Sequence, residues 1–182
     1  MLINNIDAVK LESKRLLYEK LDTNYISHKY VDWMNDEEVI KNIESGGNYT
    51  IEKLRKYLRE QEINQILYWA IKIKKNNKHI GNIKIDPINY EARSGVYGIM
   101  IGDKNEWSKG YATEASKKIL DYCFQKIGLE KITLGVKKEN IIGLKLYNKL
   151  GFKKFKDLNE LKKNSAYIGV ELAYNLNLKV GD

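Results

Sequence analysis

The stretch EWSKGYATEAS, residues 106–116, decides how the rest of the sequence is read. It places Gly110 at the start of an amphipathic helix. Apolar residues then recur at helical spacing, at Ala112, Ala115, Ile119, Cys123 and Ile127. A helix N-terminus presents about four backbone N–H groups without internal partners, and Gly110 lets a phosphate approach them closely. The stretch therefore predicts an anion site to which Lys109 adds charge; the plain alternative is a turn glycine and a helix capped by Ser108.

The spacing of this loop excludes two common phosphate-binding motifs. A Walker-type loop needs G-x-x-x-x-G-K-[ST], whereas Lys109 precedes its glycine. A dinucleotide fingerprint needs G-x-G-x-x-G, but Ala112 and Thr113 follow Gly110 without further glycines. We therefore expect neither a P-loop nor a Rossmann-bound nucleotide.

The segments around the loop predict strands mixed with helices. GVYGIMIG, residues 95–102, is a nearly uncharged run typical of a central strand buried on both faces. LYWAIKIK and HIGNIKID, residues 67–74 and 79–86, alternate and predict a hairpin. Beyond the helix, KITLGV (131–136) predicts a strand, and IIGLKLYNKL (141–150) predicts a helix closed by Gly151.

The two ends of the sequence complete an α/β (α+β) pattern. KRLLYE (14–19) predicts a strand, NYISHKYVDWMND (24–36) a helix, TIEKLRKYLREQ (50–61) a second helix with Thr50 as N-cap, and AYIGVELAYNL (166–176) a late strand. We expect one domain over residues 1–182 with a mixed sheet. The unit from Val96 to Val136 should be a parallel, right-handed crossover.

Composition limits the classes of function. The net charge is +8, but the lysines are scattered and only four basic residues are arginines, which favours a solvated surface over a specific nucleic-acid reader. The single cysteine, Cys123, predicts a small buried hydrophobe rather than a nucleophile. His28 and His79 stand far apart, so we expect no metal site. The sequence lacks a long apolar run and a signal-peptide pattern, so we expect a soluble, cytoplasmic protein without membrane contact.

WSKGYA, residues 107–112, resembles the Q/R-x-x-G-x-G/A pyrophosphate loop of the GNAT superfamily of acetyl-CoA-dependent N-acetyltransferases. GIMIGDKNEWSKGYATEA, LEKITLGVKKEN and NIIGLKLYNKLGF follow in the order found in the branch of ribosomal-protein-alanine acetyltransferases. The match covers about residues 66–156. The resemblance implies a GNAT-like mixed central sheet flanked by helices, with acetyl-CoA as co-substrate and no metal.

The resemblance also implies roles for individual residues. The backbone of Ile99, Met100 and Ile101 would pair with the pantetheine arm. The pyrophosphate loop would comprise Trp107, Ser108, Lys109, Gly110, Tyr111, Ala112 and Thr113. Trp107 stands where most members have Gln or Arg, so it can pack the loop but brings no charge. Asn140 would hydrogen-bond the pantetheine, act as a plain N-cap, or do both.

Catalysis needs an acid for the departing thiolate and a base for the amine. The resemblance assigns the acid to Tyr147, the alternative being a core aromatic side chain. Relatives often carry a glutamate on or near the central strand as the base, but Val96 and Tyr97 stand there in this chain. The nearest acids in the sequence are, in order of preference, Glu91, Asp86 and Glu106. A chain of water molecules is a further possibility.

The acceptor stays open at this point. WMNDEEVIKNIESGGNYT, residues 33–50, is the expected specificity segment, and Gly46 and Gly47 give it a turn. Acidic residues that would attract a cationic amine, or simply be solvated, are Asp32, Asp36, Glu37, Glu38 and Glu44. A protein N-terminus and a small-molecule amine, such as an amino sugar or polyamine, both fit a direct attack in a ternary complex. The protein would be a monomer or homodimer; the rival classes are a basic RNA-binding module and a non-catalytic acyl-CoA-binding regulator.

Overall fold

The strands form one mixed sheet and one short separate pair. The computed structural model describes residues 7–43, 46–154 and 170–171. Its strands are β1 (Leu11–Glu12), β2 (Leu16–Lys20), β3 (Leu67–Ile73), β4 (Lys78–Asn89), β5 (Ser94–Ile101), β6 (Lys131–Thr133), β7 (Lys153–Lys154) and β8 (Val170–Glu171). The sheet order is β1-β2-β3-β4-β5-β6, and only β5 and β6 run parallel. β7 and β8 pair antiparallel.

The N-terminal helices begin where a side chain caps their first N–H groups. The helices are α1 (His28–Asn35), α2 (Glu37–Ile40), α3 (Ile51–Ile63), α4 (Tyr111–Tyr122) and α5 (Ile141–Lys149). Ser27 accepts from the N–H of Tyr30, and Thr50 accepts from that of Lys53, which confirms the predicted N-cap. A π-helical turn, Cys123–Ile127, extends α4.

Helices cover both faces of the sheet, and β3 lies between two apolar layers. Trp69 and Ile71 point into the layer under α4, whereas Tyr68 and Ala70 point into the layer under α1 and α3. Since successive side chains of a strand face opposite sides, a continuous apolar run at β3 fits burial on both faces.

β5 differs from the sequence prediction. Its residues Gly95 and Tyr97 are buried, but Val96 is 37% exposed and Gly98–Ile101 are only half-buried. Its parallel partner β6 pairs with Ser94–Val96 alone, so the rest of the strand lacks cover on that side. Burial of 95–102 on both faces was therefore wrong.

The other predicted elements agree with the structure within their described residues. KRLLYE corresponds to β2, the hairpin to β3 and β4, and IIGLKLYNKL to α5, which Gly151 follows with φ +86°. β6 is shorter than predicted, and most of the late strand at 166–176 lies outside the described residues. Cys123 is buried, and this burial raises the pKa of its thiol to about 12. None of the helices in the described ranges is long and apolar enough to cross a membrane.

Candidate active site

The loop between β5 and α4 leaves the first turn of α4 without a side-chain cap. Gly110 occupies the N-cap position with φ +78°, and Ser108 also has a positive φ of +61°. A non-glycine residue reaches this left-handed region only at a cost, so Gly110 suits its position. The first N–H groups of the helix therefore have neither intrahelical partners nor a capping side chain. The alternative of a helix capped by Ser108 is therefore wrong, and the helix end is open as the anion-site prediction required.

Arg15, in the turn between β1 and β2, contacts this loop although it lies 94 positions before Lys109 in the sequence. Its Nη1 donates to the carbonyl of Lys109 at 2.9 Å, and its guanidinium lies 4.5 Å from the ring centroid of Tyr111. Its Nη2 is 3.5 Å from the place that a Cβ on residue 110 would occupy. A Cβ there would make ordinary van der Waals contact with the guanidinium, so it is the positive φ that favours glycine at this position. No local spacing in the sequence pointed to Arg15.

Glu114, in the first turn of α4, holds Arg15 in place. Its Oε1 accepts from the backbone N–H of Arg15 and from Ser13 Oγ, both at 2.7 Å, and its Oε2 accepts from Arg15 Nε at 2.6 Å. Burial raises the pKa of Glu114, but the hydrogen bonds from Ser13 and Arg15 outweigh it, so that the pKa is lowered. The carboxylate is thus charged and fully engaged.

The outer edge of β5 is open beyond Val96 among the described residues. Gly102 donates its N–H to the carbonyl of Ile80 on β4, at 2.9 Å. Because bonding alternates along an antiparallel strand, the even-numbered residues 98–102 face β4, and Ile99 and Ile101 turn their backbone groups outward. Met100 turns its backbone toward β4, so of the three predicted residues only Ile99 and Ile101 offer groups at this edge.

Trp107 closes the end of this edge. Its indole Nε1 donates to the carbonyl of Ile101 at 2.7 Å, while the side chain stays 36% exposed. The indole has no second donor, so Trp107 braces the loop against β5 and has no N–H left for a phosphate.

Tyr147 lies on α5 and packs against β5. Its ring is 6.0 Å from that of Tyr97 and 5.8 Å from that of Phe152, both edge-on. Its hydroxyl makes no hydrogen bond to any described residue, whereas the Tyr97 hydroxyl lies 2.6 Å from Ser116 Oγ. Burial raises the pKa of Tyr147 to about 12, so the phenol is protonated at neutral pH.

Asn140 begins α5. Its Oδ1 accepts from the N–H of Gly143 at 2.9 Å, which makes it the N-cap. A Cβ on Gly143 would lie 2.6 Å from Asn140 Nδ2, so glycine provides the room for this cap. Because the cap uses only Oδ1, the Nδ2 group is available for a further partner.

Lys109 and Glu106 belong to a chain of ion pairs. Glu106 binds Lys78 and Lys109, each at 2.8 Å, and Lys78 also binds the buried Asp103 at 3.0 Å. Asp103 in turn binds Lys29 of α1 at 2.9 Å. The hydrogen bonds from Lys109 and Lys78 lower the pKa of Glu106, so its carboxylate is a poor proton acceptor. Lys109 is held by Glu106 rather than free.

The two other candidate bases sit at the far end of β5. Glu91 is exposed in the turn between β4 and β5. The strand from Ser94 to Tyr97 adds about 10 Å to the separation between this turn and Tyr97. Asp86 pairs with Lys84 at 3.0 Å where the register of β4 and β5 shifts. The structure brings neither of them into contact with Tyr147.

The predicted specificity segment has fewer free acids than its sequence indicates. Lys104 pairs with Asp36 and Glu38, each at 2.7 Å. Asp32 and Glu37 are exposed, and Glu44 lies outside the described residues. Gly47 has φ +92°, in keeping with the predicted turn. Among the residues that the structure describes, no group of three metal-ligating side chains lies together.

Comparison with known proteins adds a family to this geometry. A family model described as "Acetyltransferase (GNAT) domain" matches residues 15–153. The uncharacterized N-acetyltransferase p20 of Bacillus licheniformis is 35% identical over 86 residues, 47% of this chain and 48% of that protein. The spermidine N(1)-acetyltransferase of Escherichia coli strain K12 is 38% identical over 72 residues, 40% of this chain and 38% of that protein. The chain therefore spans less than half the length of these relatives.

Solved structures share the fold. The spermidine N-acetyltransferase of Vibrio cholerae in complex with CoA and spermine has a TM-score of 0.71 at 23% identity, covering 86% of this chain and 92% of that one. The ribosomal-protein-S5-alanine acetyltransferase of Vibrio fischeri has a TM-score of 0.74 at 18% identity, covering 92% and 97%. Because the family model matches the chain from Arg15 to Lys153, the chain belongs to the GNAT acetyltransferase family.

Proposed function

We propose that the protein is an acetyl-CoA-dependent N-acetyltransferase. It transfers the acetyl group to a primary amine by direct attack within a ternary complex. The observation that carries this proposal is the junction of two open backbone surfaces, the outer edge of β5 and the uncapped start of α4. The first suits an amide-containing arm, and the second suits a pyrophosphate.

The residues present fit coenzyme A along its length. Ile99 and Ile101 offer backbone groups to the pantetheine amides, although Trp107 already occupies the carbonyl of Ile101. The N–H groups of the turn that follows, in the loop of residues 108–113, serve the pyrophosphate. Asn140 Nδ2 supplies one further donor from the other side of the opening, where α5 begins.

Tyr147 suits the acid step. The co-substrate supplies an activated acetyl thioester. As the amine nitrogen bonds to the carbonyl carbon and the carbon–sulfur bond breaks, Tyr147 donates its proton to the sulfur, and a base removes a proton from the amine. The products are the amide and the free thiol. A phenol that stays neutral at physiological pH is suited to donate, since its proton is present when needed.

Glu91 is our first candidate for the base and Asp86 the second. Glu91 is exposed, so a water molecule can carry the proton between it and the amine. Asp86 lies on β4, but its carboxylate is already paired with Lys84. Glu106 is a weaker candidate still because two lysines bind it.

The acceptor is a primary amine on a small molecule or at a protein N-terminus. A polyamine is the more specific candidate, because relatives named spermidine acetyltransferases match in sequence and in fold. The exposed Asp32 and Glu37 beside α1 and α2 suit a cation. A protein N-terminus is the second candidate acceptor, because an alanine acetyltransferase of a ribosomal protein has a similar fold.

Thiol release from acetyl-CoA across a panel of acceptors tests the proposal. The panel contains spermidine, spermine, an amino sugar, an aminoglycoside and an alanine-initiated peptide. We expect turnover with one class and formation of its acetylamide. Binding of acetyl-CoA without turnover on any acceptor would point to an acyl-CoA-binding regulator instead. Salt-sensitive RNA binding without acetyl-CoA binding would point to the basic module.

A further inference from the structure

The peptide between Lys109 and Gly110 is held on one side by a residue from outside the loop. Arg15 Nη1 donates to the carbonyl of Lys109, and the Nη2 of the same guanidinium lies beside Gly110. This peptide bond is trans, like all described ones except that before Pro87. In a trans peptide the C=O and N–H groups point in opposite directions. The contact with Arg15 therefore directs the N–H of Gly110 away from the guanidinium.

We propose that Arg15 is the positioning residue of the pyrophosphate loop. By binding the carbonyl of Lys109, it fixes the turn so that the N–H of Gly110 faces the pyrophosphate of acetyl-CoA. The inference deepens the proposed function and rests on it. Arg15 touches the loop from behind, so it acts through the backbone and not on the reacting atoms.

The guanidinium is rigid enough for this task. Glu114 binds its Nε, and the ring of Tyr111 stacks on it, so Arg15 is fixed from two directions besides the loop. Arg15 also neutralises Glu114. Without this cation, a carboxylate in the first turn of α4 would repel a phosphate at the same helix end.

The side chains of the loop offer the pyrophosphate few other partners in this chain. Here the indole N–H is used on Ile101 and Lys109 is held by Glu106. The pyrophosphate grip therefore depends on backbone N–H groups, and their direction depends on Arg15.

A second arginine provides a matched control. Arg93 Nε donates to the carbonyl of Gly128 at 2.8 Å, and its Nη1 pairs with Glu130. Gly128 has φ +78°, as Gly110 has. Arg93 thus holds the same kind of left-handed turn, but at the opposite end of β5 from the loop. Its loss reports the cost of removing such a contact without touching the pyrophosphate loop.

The experiment compares two donors, acetyl-CoA and S-acetylpantetheine, which lacks the pyrophosphate and the nucleotide. We measure kcat/KM for both with wild-type protein, Arg15→Gln, Arg15→Lys and Arg93→Gln. We expect Arg15→Gln to lower kcat/KM for acetyl-CoA about tenfold relative to that for S-acetylpantetheine, the size of one lost charge-assisted hydrogen bond. Arg15→Lys keeps the charge but not the fork, so it should lose part of that preference. Arg93→Gln should leave the donor ratio unchanged.

A general loss of structure lowers kcat/KM for both donors by the same factor. An unchanged ratio of kcat/KM for acetyl-CoA to that for S-acetylpantetheine, in both Arg15→Gln and Arg15→Lys, would therefore overturn the inference. Adding Glu114→Gln to Arg15→Gln should recover part of the acetyl-CoA affinity, measured by calorimetry with coenzyme A, because the uncompensated carboxylate is gone. A further drop in affinity would instead show that the pair only supports the fold. Wild-type protein that releases thiol from neither donor and binds no coenzyme A would refute the proposed function itself.

Discussion

Tyr147 stands edge-on to Tyr97 with 6.0 Å between the ring centroids, and this contact joins α5 to the strand that carries the open edge. Tyr97 is buried and its hydroxyl lies close to Ser116 Oγ, so its ring is a rigid surface against which the more exposed ring of Tyr147 packs. Tyr147 is the one aromatic residue of α5, a helix of nine residues. Its contact with Tyr97 therefore fixes the position of the phenol, and a proton donor must be held close to the atom that it protonates.

Replacing Tyr147 with Phe tests the acid. We expect kcat to fall roughly 100-fold or more, because a positioned general acid contributes at least that much, while acetyl-CoA affinity stays within about twofold. The free energy of unfolding should barely change, since the hydroxyl has no partner among the described residues. Single-turnover kinetics and calorimetry check this. Tyr122→Phe, on α4 and in ring contact with Trp69, is the control, and an unaltered single-turnover rate in Tyr147→Phe would refute the assignment.

Replacing Gly110 with Ala tests the left-handed turn. The substitution should cost about 1 kcal/mol of stability, because a Cβ disfavours φ +78°, and should raise the KM for acetyl-CoA by disturbing the loop. Gly151→Ala, at φ +86° after α5, should show the same loss in thermal unfolding with an unchanged KM. If Gly110→Ala and Gly151→Ala have the same KM for acetyl-CoA, the turn at Gly110 does not contribute to the binding of acetyl-CoA.

Glu91→Gln tests the first candidate base. We expect kcat at neutral pH to fall at least about tenfold, with KM for acetyl-CoA unchanged, because the variant cannot accept the proton of the amine. Asp86→Asn is measured beside it. A loss of kcat in Asp86→Asn alone would assign the base to Asp86. Wild-type kcat in both variants would assign proton removal to solvent.

His79 should make stability fall in mild acid. It is buried among Tyr25, Tyr30 and Trp33, and burial lowers its pKa to about 4 although Asn82 and Gly81 accept from its ring. Between about pH 6.5 and 4 the unfolded chain therefore binds a proton that the folded chain does not, and stability decreases as the pH falls.

The size of this effect is up to about 3 kcal/mol across that window. Urea unfolding at several pH values should show a flatter dependence for His79→Gln than for wild-type protein. His28→Gln, which removes the exposed histidine of α1, is measured beside it as the control. A wild-type slope in His79→Gln would contradict the buried, neutral state of this ring.

Periodicity and capping predicted most of the fold because they depend on neighbours in the chain. Thr50 caps α3, the apolar residues of LYWAIKIK form β3, and Gly151 follows the end of α5, and each of these signals lies within a few residues of sequence. The uncharged run at β5 misled because low charge at an open edge looks like low charge in a core. Which strand lies beside β5, and how far β6 follows it, depends on the whole sheet.

The geometry of the loop could be predicted where the motif is contiguous and could not where it is not. The left-handed turn at Gly110 was predicted from its neighbours, while the catalytic role that the resemblance gives to Tyr147 stays a prediction. The contacts of Arg15 were not predicted, since its partners Lys109 and Glu114 lie about a hundred positions away and nothing in the neighbouring sequence marks it. The engagement of Lys109 by Glu106 was equally hidden, because charge at neutral pH does not reveal which pairs form.

The open edge of β5 also poses a risk of self-association. Unpaired N–H and C=O groups on a strand can pair with a strand of another chain, and native proteins limit this by keeping edge strands short or covered. Among the residues that the structure describes, the unpaired stretch runs from Tyr97 to Ile101, and the indole of Trp107 binds its last carbonyl. The tryptophan that brings no charge to the loop thus also shortens the edge with which another chain could pair.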